Sequence, residues 1–219
     1  MSERLEVFTA DGRPTGVAKD RAAVHEDGDW HLAFFCWLVR AGAAGPELVL
    51  QRRAATKDVW PGRWDASAAG HVRFGETERE AAREIEEELG VPLTLDGLVP
   101  LGRHFEEHVH PGGLVDREIH ASFVARSDLE LHAYQPDPAE VDALCAIELG
   151  ALLELVEGTL DRAGVDVVST TEGGAWTRRR ADLAATDLVP YAPAYLRRVA
   201  DAARALADQS SGRASIARR

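Results

Sequence analysis

The order of apolar runs along this chain predicts an α/β fold, and three observations carry the prediction. Strand-like runs rich in Val, Ile, Phe and Trp ("WHLAFFCWLV", "ELVLQRR", "LVDREIHASFV") are interspersed with helical patterns ("REIEEEL", "ELGALLELVEG", "APAYLRRVADAARALAD"). Thr77, followed three residues on by Glu80, forms a capping box, and Gly90 supplies the matching helix stop. A chain of 219 residues, 45% of them hydrophobic, is long and apolar enough to bury one full core.

Each element follows in order. "LEVFTADGRPTGVAK" alternates around Asp11-Gly12 and predicts a hairpin, with "DRAAVHEDGD" as a charged loop after it. "WHLAFFCWLV" and "ELVLQRR" predict two strands joined by the Gly/Ala-rich "RAGAAGP". "DVWPGRWDASAAG" leads as loop and strand into an acidic helix from about Glu78 to Leu89. "LVPLGRHFEEHV" and "LVDREIHASFVARS" predict strands around an "HPGG" turn, and "ELGALLELVEG" a short helix. "GVDVVSTTEGGAWTRRR" predicts a hairpin with Gly173-Gly174 at its tip, and "APAYLRRVADAARALAD" an amphipathic helix. The expected organisation is one domain over residues 1–208, with an N-terminal hairpin and a C-terminal helix, and a polar, basic, disordered tail over 209–219.

Charge and cysteine usage narrow the classes. A net charge of −12 and a pI near 5.1 speak against a nucleic-acid scaffold, which would need clustered Lys and Arg. Cys36 and Cys145 lie far apart with no CxxC spacing, so neither a disulfide framework nor a zinc knuckle is indicated. The polar start "MSERLEVFTADG" has no apolar h-region, and no run approaches a membrane span. The expectation is a cytoplasmic protein.

Seven of the residues in "GHVRFGETEREAAREIEEELGV" are glutamates. At about 100° per residue, Glu84, Glu87 and Glu88 share one arc of the helix, with Glu80 one turn earlier. Like charges there repel unless a cation sits between them, and oxygen ligands of this kind suit Mg2+ or Mn2+. On charge pattern alone a solvated helix face is the stronger explanation.

The residue order around the glutamates changes that balance. Gly70, Glu76, Arg83, Glu84, Ile85, Glu87, Glu88, Gly90 and Val91 resemble the signature of the Nudix hydrolases, with one departure: six residues, not seven, separate Glu76 from Arg83. The shorter register falls on the Gly75-Glu76-Thr77 loop and puts the role of Glu76 in question. Upstream and downstream, "VHEDGDWHLAFFCWLV", "LVLQRRAATKDVWPGRWDASAAGH" and "VDREIHASFV" resemble the branch that contains type I isopentenyl-diphosphate isomerase. The resemblance implies a Nudix-type α/β/α sandwich with a mixed β-sheet. It also implies a metal held by His25, His31, His71, Asp116 and Glu118, although His25 stands one residue closer to His31 than the isomerases would have it. The isomerase's catalytic Cys falls at Ala69, which can neither give nor take a proton, whereas the Arg-Glu…Glu-Glu pattern is whole.

Together these features lead to the expectation of metal-assisted hydrolysis of a diphosphate linkage in a nucleoside diphosphate derivative or other organic pyrophosphate. The alternatives are an isomerase-like protein and a catalytically idle binding module. By the resemblance, Glu84, Glu87, Glu88 and the Gly70 carbonyl hold Mg2+ or Mn2+, Glu87 or Glu118 is the base, and Arg83 orients a glutamate of the helix. Arg52 and Lys57 are candidates for phosphate contact. Trp60 and Trp64 either stack a substrate group or pack the loop. His104, His108, His110, His120 and His132 are read as structural or surface residues. The expected partner is a small-molecule diphosphate, with no nucleic acid and no membrane; a homodimer is the one protein assembly considered.

Overall fold

A computed structural model describes residues 3–92, 97–110, 113–170 and 176–216. Its centre is a nine-stranded mixed sheet. The main path runs β11 (Trp176–Leu183), β10 (Ala163–Thr170), β9 (Val141–Glu148), β4 (Pro46–Arg53), β3 (His31–Ala41), β8 (Val115–Arg126) and β7 (Val99–Val109), with short strands β5 (Trp64–Asp65) on β4 and β6 (Ala68–His71) on β3. Only the β3–β8 pairing is parallel among these strands; its register sets His31 beside Glu118. The hairpin β1 (Arg4–Phe8) and β2 (Pro14–Asp20) forms its own two-stranded sheet, as its Asp-Gly turn predicts.

Strand β3 is apolar on both faces, as burial between two layers requires. Ala33, Phe35, Trp37 and Val39 point into a core with α3 (Leu149–Glu157) and α4 (Pro193–Ile216). Leu32, Phe34, Cys36 and Leu38 point into a second core with α2 (Arg83–Leu89), where Ile85 and Leu89 are fully buried. Helices on both faces of a mixed sheet make the expected α/β/α sandwich. Among the described residues no helix is long and apolar enough to cross a membrane.

Four expectations need correction. The segment read as a charged loop contains a short helix, α1 (Arg21–Asp27), whose single buried residue, Val24, gives too little periodicity to recognise; Gly28 ends it at φ 65°. Strand β9 was not expected, because "VDALCAIE" mixes Ala, Cys and Asp with its branched residues, yet it lies centrally between β4 and β10. The acidic helix starts later than Glu78: Glu80–Ala82 is a 3-10 turn and the α-helix begins at Arg83. A 3-10 turn rises about 2.0 Å per residue against about 1.5 Å in an α-helix, which offsets part of the residue missing between Glu76 and Arg83. Finally, the backbone of α4 continues past residue 208 to Ile216, in spite of Gly212 and the serines around it. Residues 217–219 and the Gly173-Gly174 tip lie outside the described residues.

Gly90 ends α2 with φ +65°, and a Cβ there would stand 2.8 Å from the Gln135 backbone oxygen. Gly90→Ala should therefore lose about 1–3 kcal/mol, from the left-handed backbone and the overlap together. A urea titration with an unshifted midpoint would contradict this.

Candidate functional site

The loop and helix halves of the acidic motif meet through Arg83. Its guanidinium donates to both Glu76 oxygens, at 2.7 and 3.0 Å, to Glu87 at 2.9 Å, to the His71 carbonyl at 3.0 Å, and also to Glu84. Glu76 thus keeps a partner despite the short register, and Arg83 has the orienting position expected of it. The capping box also forms: the Glu80 carboxylate accepts from the Thr77 N–H at 2.8 Å, and the Thr77 hydroxyl accepts from the Glu80 N–H at 3.3 Å.

Strand alternation then separates two candidate centres. In β6, Gly70 lies opposite Phe34 and His71 opposite Ala33, so neighbouring residues serve opposite faces of the sheet. On the α2 face, Glu84 packs so closely against Gly70 that a Cβ there would overlap its carboxylate. Glu88 is 3% exposed and accepts from the Ala69 N–H at 2.9 Å and from Gln51 Nε2 at 3.1 Å. Gly70, Glu84 and Glu88 border a cleft of about 350 Å³ with Glu87, Arg21, Lys57, Arg73, Asp137 and Glu140, and His71 reaches its edge from the other side of the strand. Burial, with the Glu84 charge nearby, pushes the Glu88 carboxyl up to about 8 against the Ala69 hydrogen bond, and burial also raises Glu84. Two buried carboxylates that repel each other at the end of an open cleft fit a hard divalent cation, the condition the residues had to meet.

On the α3/α4 face, five residues from four segments converge. The rings of His25, His31 and His71 lie 4.9–5.3 Å apart between centroids. His25 Nε2 is 3.8 Å from Asp116 Oδ1, and Nε2 of both His31 and His71 is 3.9 Å from Glu118 Oε1. The Nδ1 atoms of His25 and His31 lie 2.8 and 3.0 Å from the carbonyls of Arg21 and Asp29, so each donates there and turns a bare Nε2 inward. His31 Nε2, His71 Nε2 and Asp116 Oδ1 are buried without hydrogen-bond partners. Burial holds both His31 and His71 below the ordinary imidazole range, hence neutral and able to ligate. Burial and the adjacent Glu118 charge push Asp116 up to about 8. Burial opposes ionisation of Glu118 too, but the hydrogen bond to His120 holds it below the usual carboxylate range. Orphaned nitrogens and a carboxylate oxygen around one point are the donor set of a mixed His/carboxylate metal centre.

The structure brings His25, His31, His71, Asp116 and Glu118 together on one face, and Gly70, Glu84, Glu87 and Glu88 around an adjoining cleft on the other. Arg52 joins neither group: it stacks over Trp64 at 5.8 Å and faces Asp142 at 3.9 Å, outside both. A register shift between Arg52 and Arg53 in the β4–β9 pairing turns Arg53 to the cavity instead, where it binds Asp65 at 2.9 Å. Lys57 lines the acidic cleft, ion-paired to Glu140. Trp60 lines the histidine-side cavity of about 60 Å³, against His108 and His110, whereas Trp64 is core. Sequence reasoning missed Arg21, which borders both clefts, as well as Asp137, Glu140, Tyr191 and His120. His120 sits inside "VDREIHASFV" and was read as structural or surface; the other four sit in no motif that would have marked them.

The fold and these clefts define the class first: an α/β/α sandwich with a Glu-rich helix against the Gly-His end of a short strand. The NUDIX domain profile matches residues 29–165, and the chain belongs to the Nudix family. It is 31% identical to an uncharacterized Nudix hydrolase of Clostridium acetobutylicum, over 88% of this chain and 93% of that protein. It is 34% identical to an isopentenyl-diphosphate Delta-isomerase of Escherichia coli, over 73% of this chain and 84% of the isomerase. It is also 37% identical to Nudix hydrolase 3 of Arabidopsis thaliana, over 65% of this chain but 19% of the plant protein. The crystal structure of a Deinococcus radiodurans protein superposes with a TM-score of 0.53 at 23% identity, over 71% of this chain and 90% of that one, which supports the fold.

Proposed function

We propose that the protein hydrolyses a diphosphate linkage in a nucleoside diphosphate derivative or other organic pyrophosphate, with Mg2+ or Mn2+ at Glu84, Glu87, Glu88 and the Gly70 carbonyl. The carrying observation is the acidic cleft, where buried Glu84 and Glu88 face cationic side chains across a space wide enough for a diphosphate. When bound, the divalent ion neutralises phosphate oxygens and makes water easier to deprotonate. Arg21, Lys57 and Arg73 draw the anionic substrate to the cleft and hold its phosphates. Arg83 fixes the carboxylates. Glu87 lines this cleft and Glu118 the other, so Glu87 is the base in this reading. A screen of diphosphate compounds with Mg2+ or Mn2+, read as phosphate release after added phosphatase, should give metal-dependent turnover of at least one compound. A blank screen with folded, metal-binding protein would favour the idle binding module.

The intact His/carboxylate cluster favours isomerisation as a second reading, with the metal held by His25, His31, His71, Asp116 and Glu118. Ala69 argues against it, because its methyl group lines the histidine-side cavity where the isomerases need a thiol. Given isopentenyl diphosphate and Mg2+, the wild type should form no dimethylallyl diphosphate. A clear rate of deuterium exchange by NMR would reverse the preference.

A further inference from the structure

We propose that His120 is a positioning residue that aims Glu118 at a cation held by the histidine cluster; the inference rests on reading that cluster as a metal centre. On β8, residues 116, 118, 120 and 122 share a face by strand alternation, so His120 stands immediately behind Glu118. Its Nε2 lies 2.8 Å from Glu118 Oε2, while the other oxygen, Oε1, faces Nε2 of His31 and of His71 at 3.9 Å each. The two oxygens of one carboxylate thus have separate partners, one outside the cluster and one directed into it.

The tautomer follows from that distance. A proton on Nδ1 alone would leave two lone pairs facing each other across 2.8 Å, so Nε2 carries the proton and donates it to Glu118. His120 Nδ1 is buried without a partner. The imidazole is 3% exposed and stacks on Phe35, with centroids 3.8 Å apart and planes at 24°, so its N–H direction is fixed by packing rather than chosen by solvent. A ring held this firmly restricts rotation of the Glu118 carboxylate and lowers the entropy lost when Oε1 takes a ligand. Hydrogen bonds of this outer kind are typically worth about 10–100-fold in metal affinity.

Packing and aiming are separable, because the ring provides one and the N–H the other. His120→Phe keeps an aromatic face for Phe35 and removes the donor, whereas His120→Gln returns an N–H near the Nε2 position and gives up the stack. Cobalt(II) alone is titrated into the full-length wild type and each variant and followed by calorimetry, with the His31→Ala, His71→Ala double variant as the reference for cobalt bound elsewhere. Thermal unfolding in chelator establishes that each variant is folded. His120→Phe should bind cobalt about 10–100-fold more weakly, and His120→Gln close to wild type. Wild-type affinity in His120→Phe, or an equal loss in folded His120→Gln, overturns the proposal. If the Phe variant does not fold, His120→Ala against His120→Gln decides the same question. A wild type that binds cobalt no more tightly than the His31→Ala, His71→Ala double variant overturns the metal-centre reading itself, an outcome distinct from binding that ignores the donor.

Discussion

Glu88→Gln should nearly abolish hydrolysis while making the metal-free protein more stable. Glu88 is 3% exposed, and burial pushes its carboxyl up to about 8 from an ordinary value of 4.5. Because the folded-state value is the higher one, the folded protein holds this proton more tightly than the unfolded chain. The associated stability is complete below pH 4.5 and disappears as pH rises through about 8. At pH 7 the wild type therefore carries a penalty on the order of 3 kcal/mol that a neutral amide avoids. At pH 5 most of the difference should vanish, since the carboxyl stays protonated in the fold and the unfolded chain, close to its ordinary value of 4.5, gains little from ionising. Turnover should fall by about 100-fold or more, because the amide removes a negative group from the proposed Mg2+ site at the reacting centre. Urea unfolding in chelator at pH 5 and 7, paired with initial rates in Mg2+, tests both halves. A variant that is less stable at pH 7, or as active as the wild type, would remove Glu88 from its assigned place.

That opposition between stability and function bears on what could be read from the sequence. The box glutamates were legible because an α-helix converts spacing into direction, and one element holds all three. The mixed cluster spans His25 on α1, His31 on β3, His71 on β6 and two residues on β8. No local spacing rule joins these segments, so only the family resemblance could suggest them as a set. At the end of β4 the cause is different: Arg52 keeps the alternation and lies over Trp64, whereas Arg53, past the register shift, lines the histidine-side cavity, and no residue in the sequence marks that shift. Asp137 and Glu140 reach the acidic cleft because their loop docks on the end of α2, through N–H bonds from Gln135 to the Leu89 carbonyl and from Asp137 to the Glu88 carbonyl. "QPDPAE" carries no sign of that docking. Strand β9 was missed for want of β-branched residues, although its place between β4 and β10 is fixed by pairing on both sides.

If the two clefts are separate metal centres, they should be separable by mutation. His31→Ala with His71→Ala removes two imidazoles whose Nε2 atoms have no hydrogen-bond partner, so the metal-free protein should lose little beyond the His31 Nδ1 bond to the Asp29 carbonyl. Its affinity for a transition metal such as Zn2+ or Mn2+ should collapse, because Asp116, Glu118 and His25 alone offer one imidazole to a centre built around three. Stabilisation by added metal should collapse with it. At about 1,000 times the dissociation constant, binding contributes about 4 kcal/mol to the wild type and should contribute almost nothing to the variant. Mg2+ binding at the box should survive, since α2 packs on the opposite face of β6 and His71, which also borders that cleft, holds Arg83 by its carbonyl rather than its ring. Glu87→Gln with Glu88→Gln should give the converse, losing Mg2+ and keeping the transition metal. Elemental analysis of protein purified without chelator, with calorimetric Mg2+ titrations of both double variants, reads the two centres independently. Loss of both metals in either folded variant would mean that the clefts form a single centre and that the division at β6 has no chemical consequence.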